Sequence, residues 1–166
     1  MSIPFKKSTI CLGILYFTAI GAMSPIKKEK GKIIIGRIEK LYLPEFNLEL
    51  EGRVDTGALS CSLHVQGEKV VVSNNKKYIE FDTKDARGET IHVRTALFRT
   101  TKIRSSNGIL TQRHVIRQKV KIGPVTRLVN ITLNDRTELK YSFLIGRNFL
   151  RGRFLIDVAQ SHMLQD

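Results

Sequence analysis

The segment Arg53–Ala58 (RVDTGA) places a carboxylate where an extended strand ends and the chain must turn sharply. Gly57 permits such a turn and lets backbone amides approach the Asp55 carboxylate closely, because glycine has no Cβ. Thr56 offers a hydroxyl that can bond to the backbone and hold the loop. The segment therefore predicts a carboxylate presented on a tight loop at a strand end.

The residues around this loop read as short strands separated by turns. Residues 48–54 alternate apolar and charged side chains, the period-two pattern of a half-buried strand. Further strand patterns occupy residues 32–43, 70–72, 78–81, 90–99, 96–104, 109–120 and 126–133. Turn signals separate them at Pro44–Asn47, Ser73–Asn75, Arg87–Gly88, Asn107–Gly108 and Gly123–Pro124. Only Arg147–Arg151 favours a helix, so the sequence predicts an all-β fold, a closed barrel or a sandwich.

A second motif lies at residues 142–150 (SFLIGRNFL). Its apolar run ends at Gly146 and leads into the predicted helix, which would let a strand pass close behind the Asp55 loop. Two plainer interpretations remain: Asp-Thr-Gly also forms an Asx-type turn, and Leu144–Gly146 also fits a core strand that ends at a helix.

The number of suitable aspartates in one chain also bears on the oligomeric state. A single carboxylate does not readily cleave a peptide bond, whereas two carboxylates roughly 3 Å apart share a proton and act as acid and base. The other aspartates lack a following Thr-Gly or Ser-Gly; they are Asp82, Asp85, Asp135, Asp157 and Asp166. The second carboxylate would come from another copy of the chain, which predicts a two-fold homodimer.

These motifs together resemble a known family. The span from about residue 35 to residue 164 is similar to the bacterial retropepsin-like aspartic peptidases long labelled putative ATP-dependent zinc proteases, which are related to retropepsins. The matching pieces are Ile35–Arg37, Leu43–Glu45, Val54–Ala58, Ser62–His64, Ile103–Gly108, Arg113–Ile116 and Leu144–Asp157. The resemblance implies an acid-protease barrel lobe with one short C-terminal helix.

The resemblance also assigns roles to residues. It implies that Asp55, Thr56 and Gly57 form the catalytic motif, with Thr56 gripping its partner across the dimer axis. The implied ψ-loop residues are Leu144, Ile145, Gly146 and Arg147. We expect Ala58, Arg104, Ser105, Ser106, Asn107 and Gly108 to face substrate, although residues 104–108 equally suit an exposed hairpin tip. Leu59 stands where viral relatives carry an acidic partner for the ψ-loop arginine, so Arg147 must find another.

The pattern of the N-terminal residues is typical of a targeting segment. Lys6 and Lys7 precede an apolar stretch at residues 10–22, which suits a signal-peptide core better than a membrane span of about 20 residues. We expect residues 1–22 to be a signal peptide or membrane anchor, 23–32 a basic linker and 33–166 the peptidase domain. The domain would then lie in the periplasm, free or anchored through residues 10–22.

Composition and the available metal-ligating side chains limit the partners and cofactors that we expect. The net charge of +13 attracts polyanions, but aromatic residues make up 7% of the chain and tryptophan is absent, so we expect no nucleic-acid partner. The chain has no HExxH, no CxxC and no GxxxxGK[ST], and Cys61 with His64 supplies only two ligand types for a metal. We therefore expect no metal or other cofactor.

The sequence leaves three candidate functions. The first is an aspartic endopeptidase that hydrolyses protein or peptide substrates between two Asp55 carboxylates of a homodimer. The second is a non-catalytic module of the same fold that binds a peptide or polyanion. The third is a metal-dependent hydrolase, as the family's older label suggests.

Overall fold

The computed structural model describes residues 28–29, 31–104, 110–137 and 140–164. The predicted export segment 1–22 and the predicted substrate loop Ser105–Gly108 lie outside these ranges. Within them, no helix has the length and apolar character needed to cross a bilayer.

Short strands form most of the described chain. In order they are β1 (Lys28–Glu29), β2 (Lys32–Gly36), β3 (Ile38–Leu43), β4 (Leu48–Val54), β5 (Cys61–His64), β6 (Gln66–Ser73), β7 (Lys76–Lys84), β8 (Thr90–Ala96), β9 (Arg99–Arg104), β10 (Leu110–Ile122), β11 (Val125–Asn134), β12 (Phe143–Ile145) and β13 (Phe154–Asp157). A 3₁₀ turn covers Pro44–Phe46, and one short helix, α1, covers Arg147–Leu150. The predicted all-β class with a short C-terminal helix is confirmed.

Six of these strands close into a ring. They pair in the order β11-β5-β12-β4-β3-β10, and β10 pairs again with β11, while β9 adds to the outer side of β10. The long strand β10 pairs with three strands: residues 110–115 pair with β9, residues 115–122 pair with β11, and Lys121 lies opposite Tyr42 of β3. The closed barrel predicted from the family resemblance is therefore confirmed.

Apolar side chains that alternate with polar ones along the strands fill the interior of the ring. On β4, Leu48 and Leu50 are buried whereas Glu49, Glu51 and Arg53 are exposed, as the period-two pattern predicts. The large, fully buried side chains of the core include Phe81, Phe143, Phe149, Leu43, Leu63, Ile116 and Ile131. Each such side chain contributes about 1.5–3 kcal/mol through its removal from water, so the barrel holds the strands of the Asp55 loop in fixed register.

One predicted hairpin turn is present in the structure, and two of the predicted strands are each divided into two. Asn74 and Asn75 join β6 to β7 with positive φ angles of 51° and 58°, a conformation that asparagine tolerates. The pattern at residues 32–43 divides at Arg37, whose N–H donates to the Gln160 carbonyl. The pattern at 90–99 divides at Leu97 and Phe98, whose N–H groups donate to β7 and to β10 respectively.

Two smaller sheets accompany the barrel. The strands β6, β7 and β8 form one of them. In the other, β2 lies between β1 and β13 and runs parallel to β13. Lys28 and Glu29, from the stretch assigned to a basic linker, pair with Ile33 and Lys32 in this sheet.

A buried carboxylate ties the C-terminal segment to the start of the barrel. Glu39 is fully buried and accepts hydrogen bonds from the backbone N–H groups of Gly36 at 2.7 Å, Met163 at 3.1 Å and Leu164 at 3.0 Å. All three donors would lose their acceptor if this side chain were truncated.

We predict that Glu39→Ala lowers the free energy of unfolding by about 3 kcal/mol or more, because it leaves buried N–H groups without partners. Urea denaturation measures this change, and Glu45→Ala, at an exposed position, is the control, with an expected change of about 0.5 kcal/mol or less. Equal stability of the two variants would contradict the role assigned to Glu39.

Candidate active site

The Asp55 carboxylate is held by the backbone of its own loop. Its Oδ1 accepts hydrogen bonds from the N–H groups of Gly57 at 2.9 Å and Ala58 at 3.2 Å. A Cβ at Gly57 would lie 3.2 Å from Oδ1, tighter than most Cβ contacts, and Gly57 is not among the glycines with positive φ. Glycine is favoured here for the close approach of the carboxylate rather than for a left-handed turn.

Strand β12 passes between the two strands that flank this loop. It runs parallel to β4, with Ile145 opposite Val54, and antiparallel to β5, with Leu144 opposite Ser62. The Asp55 N–H donates to the Ile145 carbonyl at 3.0 Å. The two sequence motifs, 91 residues apart from Asp55 to Gly146, therefore meet directly behind the aspartate.

Gly146 permits the closest contact of this crossing. A Cβ there would collide with the carbonyl of Ser60 and lie 2.8 Å from the Cys61 nitrogen. The next N–H groups, of Arg147 and Asn148, donate to the carbonyls of Ala58 and Leu59 at 3.0 Å and 3.2 Å. The start of α1 is thus bonded to the chain that follows Asp55.

The side chains of α1 complete this bracing. Arg147 takes the Thr56 carbonyl as its partner, with Nη1 at 3.3 Å, in place of an acidic residue at position 59. Asn148 Oδ1 accepts from the Cys61 N–H at 3.0 Å, and its Nδ2 donates to the Asn130 carbonyl at 2.8 Å. Sequence reasoning gave Asn148 no role beyond its place in the motif at residues 142–150, whereas the structure shows that it joins β5, β11 and α1.

Asp55 faces a cleft of about 510 Å³. The cleft is lined by Arg53, Val54, Asp55, Thr56, Arg136, Tyr141 and Leu144. A larger depression of about 860 Å³ does not include Asp55 and shares only Tyr141 with the cleft. The smaller cleft is therefore the one that contains the candidate carboxylate.

Arg136 is the cationic side chain that sequence reasoning missed. Burial lowers its pKa, the positive charge of Arg113 acts in the same direction, and the Asp55 carboxylate opposes both. A guanidinium stays protonated at physiological pH despite such shifts. Arg136 follows β11 in a short loop, and no local motif connects it in sequence with Asp55.

The remaining predicted site residues divide into three groups. Thr56 and Leu59 are exposed, with 73% of Leu59 accessible, and Thr56 lines the cleft beside Asp55. Ala58 is half-buried and carries backbone bonds to Asp55 and to Arg147. Arg104 ends β9 opposite Leu110, and the rest of that predicted loop lies outside the described residues.

Cys61 and His64 do not form a ligand pair. Residues three apart in a strand point to opposite faces, and burial raises the pKa of the Cys61 thiol to about 12. A thiol in that state is inert as a nucleophile. In the described ranges, no three side chains of the His, Cys, Asp and Glu types gather as metal ligands would.

Comparisons with known proteins agree with this geometry. The family model described as "Retropepsin-like aspartic endopeptidase RimB" matches residues 34–166. The crystal structure of Lpg0085, a Legionella pneumophila protein titled as of unknown function, superposes with a TM-score of 0.68 at 26% identity, covering 80% of this chain and 98% of that one.

Curated relatives carry another name. A "Probable alpha-L-glutamate ligase" of Parasynechococcus marenigrum is 31% identical over 139 residues, and one of Shewanella halifaxensis is 26% identical over 137. The match covers 81% and 80% of this chain respectively, but the chain spans only 30% of the length of each relative. Their name therefore describes proteins much longer than the part that is shared.

Proposed function

Because the chain belongs to the RimB-like family of retropepsin-like aspartic endopeptidases, we propose that it hydrolyses peptide bonds as a homodimer, with two Asp55 carboxylates at the centre. One observation carries this proposal: the Asp55 carboxylate is held by two loop amides, with β12 braced directly behind the loop. An Asx-type turn alone would not require that second motif.

Each chain supplies one half of the catalytic pair. In the dimer the two carboxylates hold one proton between them. The charged carboxylate takes a proton from a water molecule, whose oxygen bonds to the scissile carbonyl carbon. The protonated carboxylate donates to the carbonyl oxygen. Collapse of the tetrahedral intermediate breaks the C–N bond. The amine leaves with a proton from one carboxyl group, and a hydroxyl of the intermediate returns a proton to the other, so that the pair again holds one proton.

The exposed side of the Asp55 loop supports a two-fold partner. Leu59 is an apolar side chain with 73% of its surface accessible, directly after the loop. Thr56, in the loop itself, is also exposed. A second copy meeting the first at these residues would cover the leucine and bring both Asp55 side chains to the axis, because a two-fold interface uses the same patch on both subunits.

We further propose that the substrate is a glutamate-rich peptide. Arg53 and Arg136 line the cleft beside Asp55, and guanidinium groups form strong, often bidentate hydrogen bonds with carboxylates. The net charge of +13 would attract a polyanionic chain. The name of the curated relatives, which refers to alpha-L-glutamate, supports the same choice of substrate.

The test of this function compares two peptides. A glutamate-rich peptide and its glutamine counterpart have nearly the same shape and differ in charge. We expect wild type to cleave the glutamate peptide with a kcat/KM at least about tenfold higher, because each lost charge-assisted bond costs about 1.5–3 kcal/mol. Mass spectrometry of the digests reports the cleavage.

Arg136→Gln refines this test. We expect it to raise KM for the glutamate peptide about tenfold and to leave the glutamine peptide nearly unchanged, since only the former offers a carboxylate. Arg153→Gln, at an exposed position outside the cleft, is the control. Equal losses on both peptides would contradict the specificity assigned to Arg136, and no cleavage of either peptide would favour a binding module over an enzyme.

A further inference from the structure

His64 ends β5 in a buried position and makes a hydrogen bond that needs the neutral form of the ring. Its Nδ1 accepts from the backbone N–H of Arg136 at 2.9 Å. A backbone amide can only donate, so Nδ1 must carry a lone pair and the ring proton must reside on Nε2. The side chain is only 10% exposed, which leaves water little room to replace this bond.

The bond fixes the loop that carries Arg136 into the cleft. Asp135 Oδ1 closes the loop locally, accepting from Thr137 N at 3.0 Å and from Thr137 Oγ1 at 2.6 Å. His64 joins this loop to β5. At the far end of the loop, Gln66 Nε2 donates a hydrogen bond of 3.0 Å to Thr137 Oγ1. Two hydrogen bonds reach Arg136 itself: its backbone N–H donates to His64, and its Nε donates to the Tyr141 carbonyl at the longer distance of 3.4 Å. His64 is therefore the side chain that holds the Arg136 backbone.

We propose that His64 is a positioning residue: its neutral imidazole holds Arg136 beside Asp55, and protonation of the ring releases Arg136, so that the cleft binds acidic peptides less tightly in acid. The effect on peptide binding rests on the proposed function. The dependence of the Arg136 backbone on His64 does not.

The surroundings of His64 set the direction of the effect. Burial lowers the pKa of His64, the Asp135 carboxylate at 3.7 Å opposes this, and the charges of Arg136 and of Lys84 on β7 add to the lowering. The stabilising bond is therefore complete above the ordinary histidine range and is lost as the pH falls through the lowered value. A protonated Nδ1 would point one N–H at another and add a positive charge beside Arg136.

Two substitutions separate the hydrogen bond from simple burial. In His64→Asn the side-chain oxygen can take the place of Nδ1 and accept the Arg136 N–H at every pH. In His64→Leu the position stays filled but has no acceptor. Both are made in an Asp55→Asn background, so that peptide is bound without being cleaved and Asp55 itself does not titrate.

The first measurement needs no ligand. Two-dimensional NMR follows the Arg136 amide and the His64 ring between about pH 8 and pH 5, the region in which histidine titrates. We expect the Arg136 amide to shift with the same midpoint as the ring, and to lose this response in His64→Asn. An Arg136 amide that does not follow the ring would overturn the proposal, whether or not the protein is a peptidase.

The second measurement is calorimetric binding of hexaglutamate over the same range. In the background with His64 intact we expect binding to weaken about tenfold or more toward acid, relative to His64→Asn, which controls for titration of the peptide itself. His64→Leu should bind weakly at every pH. Equal pH dependence in the histidine and asparagine proteins would overturn the role in binding. If hexaglutamate binds to none of them while the Arg136 amide still follows His64, the substrate assignment fails and the role of His64 as the support of Arg136 stands.

Discussion

Replacing Asp55 with asparagine is expected to abolish cleavage of a glutamate-rich peptide while leaving the fold intact. Asparagine keeps an oxygen at the Oδ1 position, so the bonds from Gly57 and Ala58 can persist. It cannot take a proton from water or share one with a partner. Because general acid–base catalysis contributes about 10²–10⁴-fold, we expect kcat/KM to fall about a thousandfold or more.

The chain offers a matched control for this substitution. Asp157 also ends a strand, and its Oδ1 accepts from the N–H two residues on, Ala159, at 3.0 Å. Asp157→Asn makes the same chemical change in the same type of turn, and its activity should stay within about a factor of two of wild type, as expected for a substitution outside the reacting groups. Substantial residual activity in Asp55→Asn, or equal losses in both variants, would refute the assignment of Asp55.

The second large effect is structural and concerns Gly146. In Gly146→Ala the new methyl group meets backbone atoms of Ser60 and Cys61, which cannot rotate aside as a side chain would. Either β12 moves out from between β4 and β5 or the segment after Asp55 shifts. We expect the free energy of unfolding to fall by about 3 kcal/mol or more, at the upper end of overpacking effects.

Gly152→Ala separates this collision from the general cost of replacing a glycine. Gly152 has a φ of 78° and open space where a Cβ would lie. Its replacement should cost about 1–2 kcal/mol through backbone strain alone. Urea denaturation compares the two variants, and a Gly146→Ala protein as stable as Gly152→Ala would show that the close approach does not support the fold.

The sequence predicted the features that depend on local pattern. Alternation along β4 identified its buried face, and Ser73–Asn75 marked the hairpin of β6 and β7. The motif at residues 142–150 predicted that a strand would pass close behind the Asp55 loop, because its apolar run ends at Gly146, which has no Cβ. These features depend on neighbouring residues or on a motif that can be read directly.

The features that escaped prediction depend on distant residues. Glu39 bonds to Met163 and Leu164 near the other end of the chain, and His64 bonds to Arg136 across 72 positions. From the neighbouring sequence alone, a buried glutamate on a strand cannot be distinguished from an exposed one. In the same way, nothing near His64 in the sequence indicates its hydrogen-bond partner. The parallel pairing of β5 with β11 places His64 opposite Asn134, close to Arg136. That pairing joins residues about 70 positions apart, so the approach of Arg136 to Asp55 could not be found before the fold was known.

The most direct test of the shared pair mixes two kinds of subunit. Wild-type and Asp55→Asn chains are unfolded, combined in equal amounts and refolded together, and the rate of peptide cleavage is compared with that of the same total amount of wild type. If one Asp55 from each chain is required, only dimers of two wild-type chains are active, and random two-fold pairing leaves about one quarter of the rate. A rate of about one half, proportional to the wild-type chains present, would show that each chain acts alone and would contradict the account.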